Sequence, residues 1–344
     1  MKMEKKRLSD HFKAFAEREC ASSSELYEHL ALKIANDDEL LKLSSYAREG
    51  QPIPNLFFGA VHYILLQGKE HIVSSFYPNI AEKPKNLRNS FPFFKDFCLT
   101  NSKSIQSILQ EKMVQTNEVR RCGYLYPSFS YIFAKAKKPL ALIEIGTSAG
   151  FQLLWDKYSY SYNAGELYGD HKSAVHIQCE IVGEHRPIFY QFSPPVLHRY
   201  GLDLHINDLT DADDALWLNA LIWPEHVERR ELFKQASACL RKNRKKLQLI
   251  EGDGIEQLPY LMEKIPDDSA ICVFHTHVAN QIPVERKQIL LEHVKRMGNK
   301  RDVFHLYNNI WDRDLHLDSF IRGIEYNEIL AQTDGHGRWF SWKL

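Results

Sequence analysis

The chain has 344 residues, enough to bury a sizeable core and to hold two structural units, since domains cluster at roughly 100 to 200 residues. Its 44 Lys and Arg equal its 44 Asp and Glu, so no overall field draws it to nucleic acid or to an anionic membrane, and a polyanion partner would need a local patch. With 44% hydrophobic and 26% charged residues, 16 glycines and 14 prolines, the composition excludes low-complexity and collagen-like chains.

The six cysteines stand singly with no C-x-x-C pair, which argues against a structural zinc site and a disulfide framework and points to a reducing compartment. Residues 1–10 are charged and lack the apolar core of a signal peptide. No later segment approaches the roughly 20 apolar residues of a spanning helix. A cytoplasmic protein without a membrane partner is expected.

Residues 1–120 are expected to form a helical domain. Ser9 is placed to cap a helix over 10–19, and Ser24 precedes a run with Leu26, Leu30 and Ile34 on one face. Another helix is expected up to Tyr46, and residues 55–66 are nearly all apolar or aromatic, the pattern of a buried helix whose His62 reads as a satisfied core residue. Helical spacing resumes over 93–99 and 104–113, and no strand is evident before residue 140. Residues 115–121 read Q-T-N-E-V-R-R, and Asn117, Glu118 and Arg120 are second-rank candidates for a substrate site because this polar cluster leads, through an aromatic helix over 124–133, to a glycine turn.

Residues 139–151 read P-L-A-L-I-E-I-G-T-S-A-G-F. The apolar run 140–145 is too short for a helix and fits a parallel strand buried on both faces. Gly146 and Gly150 bracket a tight turn, and Phe151, Leu154, Trp155 and Tyr158 predict a helix opening from it. A strand, a glycine turn and a helix N-terminus together make a cradle for an anionic or polar ligand. The letters G-x-S-x-G at 146–150 also match the nucleophile elbow of α/β-hydrolases, and a turn with no ligand satisfies the same pattern.

Residues 158–192 alternate short β-like runs, 175–181 and 187–192, with glycines, and read as an inserted hairpin or lobe over the sheet edge. Strands are then expected over 200–205, 247–251, 270–274 and 303–307. Helices are expected between them, over 213–241 with a bend near Pro224, toward Leu261, and over 284–297. The basic run 241–246 fits the cation-rich end of a helix. Residues 326–333 and 338–343 flank Asp334-Gly-His-Gly337, a hairpin signal. An α/β fold follows, with a mostly parallel sheet and an antiparallel C-terminal hairpin over 121–344.

That order resembles the Rossmann-like class I methyltransferase fold, whose cofactor is S-adenosylmethionine. The resemblance covers roughly residues 120–344. It implies that Glu144, Gly146, Ser148 and Gly150 hold the methionine end of the cofactor, that Asp203 takes the ribose hydroxyls, and that Asp253 with Ile255 meets the adenine edge. A carboxylate accepts from both ribose hydroxyls, which suits Asp203 to that role. Serine at 148 replaces the middle glycine of the family loop, and there is no Asn/Asp-Pro-Pro-Tyr motif after the fourth strand. As a whole the chain also resembles an uncharacterised bacterial family, a domain of unknown function, through residues 115–120, 150–158, 199–208 and 217–225.

Methyl transfer to a small-molecule or protein acceptor is thus the leading expectation, with His275 at the tip of the fourth strand as catalytic base. His275-x-His277 lacks a third metal ligand, so no metal is expected. Two alternatives are a serine hydrolase using Ser148 with Asp203, Asp208 or a later acid and His336, and a non-catalytic ligand-binding protein on the same scaffold.

Overall fold

The computed structural model describes residues 2–115, 118–163 and 165–344. It divides into two units, Met1–Thr116 with Asp211–Glu231, and Asn117–Thr210 with Leu232–Leu344. The helical unit therefore takes in a segment from the middle of the chain as well as its N-terminal part.

In that unit the helices are Lys2–Phe15, Glu25–Ile34, Asp38–Ser44, Ile53–Leu66, Ser90–Thr100, Ser102–Glu111 and Ala212–Ala220. Ser24 caps its helix as expected, its hydroxyl accepting from the Tyr27 N–H at 3.1 Å. Ser9 does not cap: the first helix already runs from Lys2, through residues of high helix propensity, and the Ser9 hydroxyl donates to the Ala35 carbonyl instead. The segment 211–231 is held by side chains. Glu225 accepts from Ser24 Oγ at 2.7 Å and from the Leu26 N–H at 3.0 Å, and the Trp217 indole donates to the Met113 carbonyl. Gly59 faces Leu221, where a Cβ would come within 2.9 Å, so glycine is needed for that approach. His62 is buried and satisfied at both nitrogens, by the Ala220 carbonyl and the Asn79 carboxamide.

The second unit is built on one sheet of β1 (Leu140–Ile145), β2 (Ser159–Tyr162), β3 (Leu167–Gly169), β4 (His176–Ile181), β5 (Val196–Asp203), β6 (Gln248–Glu251), β7 (Ala270–His275), β8 (Val303–Tyr307), β9 (Leu315–Ile321), β10 (Ile324–Thr333) and β11 (Trp339–Trp342). The order is β3-β2-β4-β11-β10-β9-β8-β7-β1-β5-β6. Strands β8, β7, β1, β5 and β6 are mutually parallel, and β8 to β11 form an antiparallel meander. The sheet is thus large, mixed and mostly parallel, with the expected C-terminal hairpin between β10 and β11.

Every residue of β1 is buried. One face of the parallel part packs on helices Gly254–Lys264 and Val284–Gly298 through Ile143, Leu258, Leu290 and Val294, and on the other Phe129 of helix Cys122–Ala136 meets Phe274 edge-on. Both faces are covered, which is why β1 reads as a continuous apolar run.

Several expectations change. The glycine turn leads into a short 3₁₀ segment, Gln152–Lys157, kinked at Leu154, and not into an α-helix, so no helix macrodipole points back at the turn. The insertion widens the sheet instead of covering it: β4 pairs parallel with β11, β2 with β4, and β3 closes the edge. No strand forms over 187–192, where Ile188 and Phe192 are exposed. The long helix expected over 213–241 is two helices, Ala212–Ala220 and Val227–Asn243, parted around Pro224.

Candidate functional site

Parallel sheets of this kind offer ligands a crevice beyond the C-terminal ends of the strands, where the direction of connection reverses. Here that place is β1, which lies between β5 and β7. The turn after β1 has Gly146, Ser148 and Gly150 at φ values of +76°, +51° and +92°. The positive φ explains both glycines, yet the space left by their missing Cβ atoms is filled by the protein itself. A Cβ on Gly146 would lie 2.0 Å from Val278 Cγ2, and one on Gly150 would lie 3.2 Å from Leu249 Cδ2.

Glu144 is 3% exposed, and burial pushes its carboxyl up to about 8 against the hydrogen bond from Thr147 Oγ1. It holds the turn from beneath. Asp203, the last residue of β5, accepts from the Ser148 N–H at 2.7 Å and from the His205 N–H at 3.2 Å, and Ser148 Oγ accepts from the Asn207 carboxamide at 2.9 Å. Asp203 thus lies beside the glycine turn at the point of reversal. Asp253 caps helix Gly254–Lys264, accepting from the Ile255 and Glu256 N–H groups, and pairs with Arg286 at 2.5 Å.

His275 is fully buried. Its Nε2 lies 3.3 Å from Nε2 of His305, and burial holds its imidazole down to about 3, so it stands neutral in the core. His277 lies in the same neighbourhood in left-handed backbone, its N–H donating to Asn308 Oδ1 at 2.7 Å, with the Asn309 and Asn308 carboxamides 3.3 and 3.4 Å from its two ring nitrogens. Burial lowers it to about 3 as well.

Sequence reading missed Arg121 as a connecting residue. Its guanidinium, 6% exposed, donates to the Gly335 carbonyl at 2.9 Å and to the Thr276 hydroxyl and carbonyl at 3.3 and 3.4 Å. The Gln152 carboxamide pairs with the same hydroxyl. The Asp334–Gly337 turn is pressed against the 118–121 segment: a Cβ on Gly337 would lie 2.6 Å from the Arg120 carbonyl. Buried Glu118 accepts from the Arg120 N–H and lies 3.4 Å from His336 Nδ1. Glu118 and Arg120 therefore do lie at this edge; Asn117 is outside the described residues.

Three of the non-glycine residues at positive φ, Ser148, His277 and Asn309, stand in the loops after β1, β7 and β8. Strained backbone of this kind collects where side chains are aimed for function. The C-terminal edge thus gathers a donor (Arg121), a carboxylate–imidazole pair (Glu118 and His336), a neutral imidazole between two carboxamides, and a carboxylate at the glycine turn. Among the described residues no three His, Cys, Asp or Glu side chains group to hold a metal ion, and no helix is long and apolar enough to cross a membrane.

No curated protein and no solved structure matches the chain. One family profile does, over residues 9–342, and the chain belongs to that family, described as an uncharacterized protein conserved in bacteria (DUF2332).

Proposed function

We propose that this is a cytoplasmic enzyme with a Rossmann-like, class I methyltransferase-type core that binds S-adenosylmethionine and transfers its methyl group to a small-molecule or protein acceptor. The observation that carries the reading is the reversal of strand order at β1, with the glycine turn of β1 and Asp203 of β5 side by side. The residues fit such a ligand in part. The position of Asp203 beside the turn supports the ribose role, whereas Glu144 braces the turn and Asp253 caps a helix. The ligand would supply an electrophilic methyl on a sulfonium; the chain's own work is to align the acceptor and remove its proton. His336, half exposed and next to buried Glu118, suits the base role better than buried His275. Calorimetric titration with S-adenosylmethionine and S-adenosylhomocysteine tests this: saturable binding weakened at least about tenfold in Asp203→Ala supports it, and no binding up to millimolar ligand overturns it.

One observation favours a second reading. Ser148 has the positive φ of a strained turn within G-x-S-x-G. As a nucleophile it would be labelled by a fluorophosphonate, and Ser148→Ala would abolish labelling while leaving the fold intact. Its bond from Asn207 supplies a donor where a hydrolase needs a base.

A further inference from the structure

Away from that edge, helix Val284–Gly298 and strands β8 to β10 enclose a cleft of about 450 Å³, within the size range of small-ligand sites. Its floor is Tyr307, 2% exposed, with the His316 ring stacked on it at 5.4 Å and 7° between planes. Alternation along β9 turns His316, Asp318 and Phe320 to the same side. Asp318 lies beside Tyr307 in the lining, and Trp311, 66% exposed, stands at the rim. The titratable lining is Glu292, Asp318 and Glu325 against Lys295 and His316. Lys295 is spent on Glu325 at 2.9 Å and His316 on Asp312 at 2.8 Å. Aromatic faces and an excess of carboxylate in one concave site are what a cation with an apolar shell needs, since ring quadrupoles and carboxylates both attract it while its methyl groups bury well.

We propose that this cleft binds an organic ammonium head group, with Trp311 as its aromatic wall and Asp318 as its counter-charge. Such a head group occurs on free small amines and on methylated lysine side chains; the chemistry recognised is the same. The site is independent of the methyl-transfer reading, and either stands if the other fails.

The test is titration of the full chain with choline, with its uncharged isostere 3,3-dimethylbutan-1-ol, and with a trimethyllysine peptide, followed by calorimetry. Saturable binding of choline or the peptide, absent for the isostere and weakened at least about tenfold in both Trp311→Ala and Asp318→Asn, is the expected result, and the tighter of the two names the source. Trp311 is exposed and its loss leaves the core intact, so that variant remains informative if Asp318→Asn does not fold. Failure of both cations to saturate, equal binding of the isostere, or unchanged binding in Trp311→Ala overturns the proposal.

Discussion

Glu144 reads in the sequence as a cofactor acid and in the structure as a buried brace, and its titration separates the two. Folded, its carboxyl keeps a proton to about pH 8, while the ordinary value is 4.5. Between those values the folded state binds the extra proton, so this group's contribution to stability is complete below 4.5 and is lost as pH rises through the window, by about 1.4 kcal/mol per pH unit. Glu144→Gln should remove that dependence, which urea unfolding of both proteins at pH 5 and pH 8 would reveal. Gly146 gives a second residue-scale prediction. Gly146→Ala drives a Cβ into Val278 at a positive φ and should cost about 1 to 3 kcal/mol. Adding Val278→Ala should recover the packing part and leave the backbone part, a coupling that a double-mutant cycle measures. That both glycines are needed was legible from the turn; that Val278 and Leu249 fill the space beside them was not, because those residues are distant in sequence.

At the scale of elements, β5 and the 3₁₀ segment after the glycine turn are tied by a buried ion pair. Arg199 and Asp156 meet at 2.7 Å with each side chain 6% exposed, and Arg199 also donates to the Leu153 and Val196 carbonyls. Removing Arg199 leaves the buried Asp156 carboxylate with Lys157 at 2.7 Å and strips two carbonyls of their donor, so Arg199→Ala should destabilise by up to about 3 to 5 kcal/mol, measurable as a fall in the denaturant midpoint. The last residue of helix Val284–Gly298 packs its Cα on Phe320 of β9, where a Cβ would come within 2.3 Å. Gly298→Ala should therefore push helix and strand apart at a cost of about 1 to 3 kcal/mol, and should also disturb the neighbouring cleft. Periodicity located the parallel strands and most helices because each carries its own apolar pattern. It missed β2 and β3, whose residues are Ser, Tyr, Leu and Gly, and β9, where His316 and Asp318 alternate with Leu315 and Leu317; these are strands because they have partners.

Across the whole molecule, burial keeps His62, His275 and His277 near 3 and His305 well below its ordinary value. Unfolded, each would take up a proton below about 6.5, so their contribution to stability is complete above that pH and is lost as pH falls toward 3. Unfolding at pH 5 should show net proton uptake, smaller by about one proton in His62→Gln, by calorimetry in buffers of different ionisation enthalpy. By itself the sequence determined the class of fold, the buried strand with its glycine turn, the parallel strands that follow and the closing hairpin, since all of these rest on local pattern and on turn chemistry. The tertiary structure decided which polar residues meet. Arg121 reaches Gly335 and Thr276, Glu118 reaches His336, and residues 211–231 join the helical unit. Each of these partnerships spans a long stretch of chain, and only the assembled fold brings such groups within hydrogen-bonding distance.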